Sequence, residues 1–126
     1  MATNYARGRK LEYRCKRELE KAGYWVIRAA KSNGAADLVG LTFRGDRLVI
    51  SCLEGDYYDT PPSLRAVLVQ CKLGVGGCPP GERQALCEVA RMTGALAVVA
   101  HQRAPRAAIR WRLVGADGEY GEEWVP

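Results

Sequence analysis

The sequence predicts an α/β fold in which a mixed central β-sheet is flanked by helices. Three observations carry that expectation: two stretches with apolar residues at helical spacing, several short β-branched runs between them, and glycines or prolines at nearly every boundary. From Gly8 to Ala22, Leu11, Cys15, Leu19 and Ala22 recur among charged residues, and Gly23 supplies the stop of a first helix. Tyr24 to Ala29 is short, aromatic and β-branched, so it reads as a strand, and Lys31 to Ala36 as a loop. Asp37 to Phe43 forms the next strand, and Arg44 to Arg47 turns into a further one over Leu48 to Leu53. Glu54 to Ser63, with Tyr57, Tyr58 and Pro61-Pro62, is a loop before the strand Leu64 to Leu73. After Gly74 to Gly81 a second helix runs from Glu82 to Thr93, with Ala85, Leu86, Val89 and Ala90 on its inner face and Gly94 as its cap. Ala95 to His101 follows as a strand. Ile109 to Val114 alternates Ile109, Trp111 and Leu113 against Arg110, Arg112 and Val114, a strand with two distinct faces.

The 126 residues suit one domain, residues 1–126, ending in an acidic tail at about 115–126. No apolar run approaches the length of a membrane span and no secretion signal leads the chain, so the expected location is the cytoplasm, or the host cytoplasm for a viral protein. Five cysteines without a C-x-x-C pair and a single histidine argue against a zinc site and against Ser-His or Cys-His catalysis. Neither a Walker sequence nor G-x-G-x-x-G is present. The formal charge of +5 is unevenly spread. Residues 1–34 hold nine basic and three acidic side chains, whereas residues 115–126 hold four acids and no base. A basic first quarter interleaved with Tyr5, Tyr13, Tyr24 and Trp25 suits a phosphate-rich partner, and solvated helix faces give the same count.

The chemistry left to this chain is that of oxygen ligands and a lysine. Asp37 opens a strand after a glycine-containing loop, and Gln70 and Lys72 stand two apart on another, which aims both side chains at one face. Glu12 borders the Leu11, Cys15 and Leu19 stripe, where its carboxylate can turn toward the sheet. With the backbone carbonyl of Cys71, these residues make an oxygen set of the kind that holds Mg²⁺, with Mn²⁺ as substitute. Such an ion activates water and stabilises a leaving oxygen, and Lys72 beside it serves as base or phosphate anchor.

The run GRKLEYRCKRELEKAGYWVIRAAKSNGAADLVGL, then LVQCKLG, then ERQALCEVARMTGALAVVA, resembles the archaeal-type Holliday junction resolvases, which belong to the restriction-endonuclease-like PD-(D/E)xK nucleases. The resemblance covers about residues 7–101 and implies a restriction-endonuclease-like fold. It implies Glu12, Asp37 and Gln70 as metal ligands, Lys72 as the catalytic lysine and Ser32 as a catalytic loop serine. Arg28 matches an arginine expected to touch phosphate, and Arg7, Arg9, Lys10, Arg14 and Lys31 complete the expected DNA-binding set. Gln70 stands where the family usually has Glu, a Q-x-K version being found in related nucleases such as the Mrr-like restriction enzymes; Tyr13 stands where Arg is common; and the stretch Arg44 to Ser63 is longer than expected.

The resemblance implies a Mg²⁺-dependent, structure-selective endonuclease that resolves four-way DNA junctions by paired phosphodiester hydrolysis as a homodimer. Two alternatives stand beside it. One is another PD-(D/E)xK nuclease, of restriction or repair type, acting on linear or flap DNA. The other is a DNA-binding module in which Gln70 marks a disabled metal site.

Overall fold

The computed structural model describes residues 4–29, 34–44 and 63–126. Helix α1 (Asn4–Lys21) buries Leu11, Cys15 and Leu19, one residue per turn, among charged neighbours. It begins four residues before Gly8, which is carried inside the helix at the modest conformational cost that glycine imposes. At its other end Gly23 takes a positive φ of 98°, and the Tyr24 N–H returns to the Leu19 carbonyl at 3.1 Å.

Six strands follow: β1 (Trp25–Arg28), β2 (Leu38–Arg44), β3 (Ser63–Leu73), β4 (Leu96–Gln102), β5 (Ile109–Val114) and β6 (Tyr120–Glu123). They form one sheet in the order β1-β2-β3-β4-β5-β6, antiparallel throughout except for the parallel pair β3 and β4. That pair is joined through helix α2 (Pro80–Thr93), the crossover a parallel connection needs. The α/β class with a mixed sheet between helices is therefore as expected. The third strand expected over Leu48 to Leu53, the loop with Tyr57 and Tyr58, and the site residues Lys31 and Ser32 lie outside the described residues.

Strand alternation divides the core in two. Val67, Val69, Val98, Ala100 and Trp111 face α1, where they meet Leu11, Cys15 and Leu19, with Ile109 and Leu113 packed alongside. Leu68, Ala97 and Val99 point the opposite way, toward Leu86, Cys87 and Ala90 of α2. At about 25 cal/mol per Å² of apolar surface, each buried Val or Leu among them contributes roughly 1.5–3 kcal/mol to holding its helix on the sheet. Close packing on the α1 side also explains Gly40 in β2, where a Cβ would come within 2.9 Å of Val67 Cγ1 and 3.2 Å of Tyr24 Cδ2.

One expectation needs correction. The inner face of α2 is Leu86, Cys87 and Ala90, while Ala85 is exposed and Val89 is 37% exposed. The helix starts at Pro80, where a missing N–H costs nothing, and is rotated so that the Cys87 thiol donates to the Gly115 carbonyl at 2.9 Å. The acidic segment 115–126, whose placement the sequence leaves open, joins the sheet. It turns at Gly115–Gly118 and returns as β6, with the Trp124 N–H bonded to the Trp111 carbonyl at 2.9 Å. Its indole lies 5.8 Å from the Trp111 ring and 6.1 Å from Tyr24, and Arg110 neutralises Glu123 at 2.9 Å. Among the described residues, no helix is long and apolar enough to cross a membrane.

Candidate active site

The site lies where β2 begins and β3 ends. Asp37 stands one residue before β2, yet both of its backbone groups are in the ladder: its N–H donates to the Val69 carbonyl at 2.8 Å and its carbonyl accepts from Ala29 at 2.9 Å. Its side chain then takes the next donor along β3, Oδ2 accepting the Cys71 N–H at 2.8 Å. A strand edge on one side and a side-chain acceptor on the other fix this carboxylate firmly beside β3.

Glu12, Asp37, Gln70, Cys71 and Lys72 line one cavity of about 200 Å³, with Gly34, Ala35, Glu82 and Ala85. The structure thus brings together all five of the metal-ligand and lysine positions expected from the sequence. Glu12 reaches it from α1, held by Arg28, whose Nη1 lies 3.4 Å from Oε1. Arg28 also donates to the Ala29 carbonyl at 3.3 Å and lies over the Tyr13 ring at 5.0 Å, so the arginine expected to touch phosphate also positions a carboxylate.

Glu82 is the residue that the sequence reading missed. Its Oε2 lies 2.6 Å from Lys72 Nζ, an ion pair across the cavity from the first turn of α2. An acid in a helix's first turn is ordinarily explained by the helix dipole, and that explanation conceals a second role. The available signal was its place in the first helical turn to follow the strand that carries Lys72.

The electrostatics of the cavity are those of acids short of positive charge. Burial pushes the Glu12 carboxyl up, the nearby Asp37 charge pushes it further, and Arg28 and Arg9 pull it back. Asp37 is also raised, chiefly by burial and further by Glu82, against the Cys71 hydrogen bond and the charges of Lys72 and Arg28. The Cys71 thiol, hydrogen-bonded to the Cys15 thiol on the α1 side, is driven well above the usual range by that bond and by burial. Gln70 is 8% exposed, and its Oε1 is buried without a hydrogen-bond partner. An unpaired buried amide oxygen costs about 1–3 kcal/mol unless something meets it.

These features fit a hard divalent cation, which would satisfy Gln70 Oε1 and favour the ionised carboxylates. Among the described residues no three His, Cys, Asp or Glu side chains are grouped to hold a metal between them. Any such ligand set would therefore have to draw on the Gln70 amide and backbone oxygen as well as the two acids.

The remaining cations divide between two places. Arg9 lies with Arg28 near Tyr13 and Glu12, where both arginines pull the phenol pKa down. Arg7, Lys10 and Arg14 instead line a groove of about 840 Å³, with Arg17, Tyr13 and Arg106.

No protein-family model and no curated protein matches the chain. Eleven chains among the solved structures do match. One is Hjc, a Holliday junction resolvase from the archaeal hyperthermophile Archaeoglobus fulgidus, with 27% sequence identity and a TM-score of 0.54, covering 83% of this chain and 70% of that one. In sequence and in its six-stranded mixed sheet, this chain is similar to that archaeal Holliday junction resolvase.

Proposed function

We propose that the chain is a divalent-metal-dependent endonuclease of a single domain, acting on four-way DNA junctions as a cytoplasmic homodimer. The observation that carries this reading is the shared cavity of Glu12, Asp37, Gln70 and Lys72, with Gln70 Oε1 buried and unpartnered. The likeness to a resolvase supports a nuclease of that family.

Glu12, Asp37, Gln70 Oε1 and the Cys71 carbonyl would hold Mg²⁺ or Mn²⁺. When bound, the ion would supply Lewis-acid polarisation of a phosphate and a lowered pKa for water. The chain's own groups do the rest. Lys72, carried on β3 and steadied by Glu82, presents an ammonium to the attacked phosphate. Arg28 keeps the Glu12 carboxylate turned into the cavity and lends charge to the neighbouring backbone. Hydrogen bonding from the Cys71 N–H fixes Asp37 before any substrate arrives, so its orientation costs nothing at the moment of reaction. Ser32 and Lys31, which lie outside the described residues, are proposed as a catalytic serine and a DNA contact on the strength of the family resemblance. Two subunits would cut two strands, one site in each.

Purified protein with Mg²⁺ and a synthetic four-way junction should yield paired nicked duplexes, in preference to linear or flap DNA at equal concentration. Asp37→Ala and Glu12→Ala should abolish that cleavage. Junction binding without metal-dependent cutting, or cutting that survives both substitutions, refutes the proposal.

A further inference from the structure

Resting on the nuclease reading, we infer that the groove lined by Arg7, Lys10, Arg14, Arg17 and Arg106 is a second phosphate track, which carries a DNA duplex backbone away from the cutting cavity. At about 100° per residue, Arg7, Lys10, Arg14 and Arg17 fall on one flank of the buried Leu11, Cys15 and Leu19 stripe. Glu12 falls on the other flank. One helix therefore serves two sites on opposite sides of its own anchor.

Three observations point to a polyanion. Among the described residues, Lys16, Arg28, Lys72, Arg83 and Arg110 pair with Glu20, Glu12, Glu82, Glu119 and Glu123. Among the described residues, none of the five groove cations has such a pair. Gathering unpaired like charges is unfavourable unless a ligand of opposite sign takes them up. Next, the stripe from Arg7 to Arg17 spans about 15 Å of helix, enough for about four charges of one strand at 3.4 Å each. Its floor of Leu11, Leu73 and Pro105 supports the aliphatic stems while leaving the charged heads at the rim.

The opposite wall is built, not incidental. Arg106 sits in the β4–β5 turn with φ of 69°, a backbone conformation that side-chain-bearing residues seldom adopt. The turn is clamped from below by buried Gln102, whose Nε2 donates to the Ala107 carbonyl at 2.9 Å, and the Ala107 N–H closes on Ala104 at 3.0 Å. Tyr13 joins the two regions, since its ring lines the groove and also receives Arg28 from the cutting side. Contacts of this kind set position and affinity without reading bases.

The test is binding of a fluorescent four-way junction in metal-free buffer across a series of salt concentrations. The Arg17→Ala/Arg106→Ala variant should bind about tenfold more weakly, with a salt slope shallower by about two. Arg17→Lys/Arg106→Lys should keep the wild-type slope, and Lys16→Ala, which removes a cation outside the groove, should bind as wild type. An unchanged affinity and slope in the alanine variant overturns the track, while cleavage by the wild type with Mg²⁺ leaves the nuclease reading standing. A loss of affinity without a change of slope overturns it as well, because the lost contacts are then not to phosphates. Failure of the wild type to bind any junction removes both readings.

Discussion

The two hollows beside α1 are opposites. The cavity of about 200 Å³ that holds Glu12, Asp37 and Lys72 is small, and most of its charged groups are already paired, Arg28 with Glu12 and Glu82 with Lys72, while Asp37 is held by a backbone N–H. The groove of about 840 Å³ is wide and one-signed, and among the described residues its cations pair with no carboxylate. A pre-paired site gives each group a fixed direction before a ligand arrives, which suits chemistry that tolerates little misplacement. An unpaired site gives long-range attraction and loose geometry, which suits capture. The same helix supplies both because its apolar stripe separates the two flanks.

That contrast can be broken residue by residue. Lys72→Met should have the largest effect, lowering junction cleavage by about 10²–10⁴-fold while leaving metal-free junction affinity nearly unchanged. A parallel collapse of affinity would mean that the cavity, too, is mainly a capture site. Arg28→Ala should follow, with cleavage about tenfold slower, the loss expected of one charge-assisted hydrogen bond. Because Arg28 holds the Glu12 pKa down, its removal should also move the Glu12 titration to higher pH, which carbon-detected NMR reads directly. Glu82→Gln releases Lys72 from a half-exposed pair, and its cost should not exceed about fivefold in rate.

The smallest effect is on stability. Burial raises the Asp37 pKa, so the folded chain holds that proton more tightly than the unfolded chain does. Its stabilising contribution is complete below the ordinary aspartate range and is lost as pH climbs through the raised value. Asp37→Asn should therefore raise the metal-free melting temperature at neutral pH and leave it unchanged in acid. Thermal melts at the two pH values check the sign, and a destabilised variant at neutral pH would show that the Cys71 hydrogen bond outweighs burial.

Periodicity made most of this legible. The Leu11, Cys15 and Leu19 spacing marks α1, and alternation along β3 places Gln70 and Lys72 on one face, so the cavity follows from the sequence once Asp37 is set opposite. Where a residue has two physical uses, the reading falters. Glu82 serves a helix terminus as well as Lys72, and only the folded chain displays the second use. Arg7, Arg9, Lys10 and Arg14 look equivalent in the sequence, yet Arg9 faces Tyr13 and the other three face the groove. Segment 115–126 stays unplaced in the sequence for another reason: in β6 only Tyr120 is partly buried, so the strand shows no apolar alternation, and its anchor, Trp124, lies beyond it.

That anchor has a practical side. Trp124 stacks beside Trp111 and Tyr24 and carries the final ladder bond of the sheet. Deleting the chain beyond Val114 would bare an indole and turn β5 into an open, unprotected margin inviting intermolecular pairing. Purification handles at this end should thus follow Pro126 through a flexible spacer, leaving the terminal clasp shut.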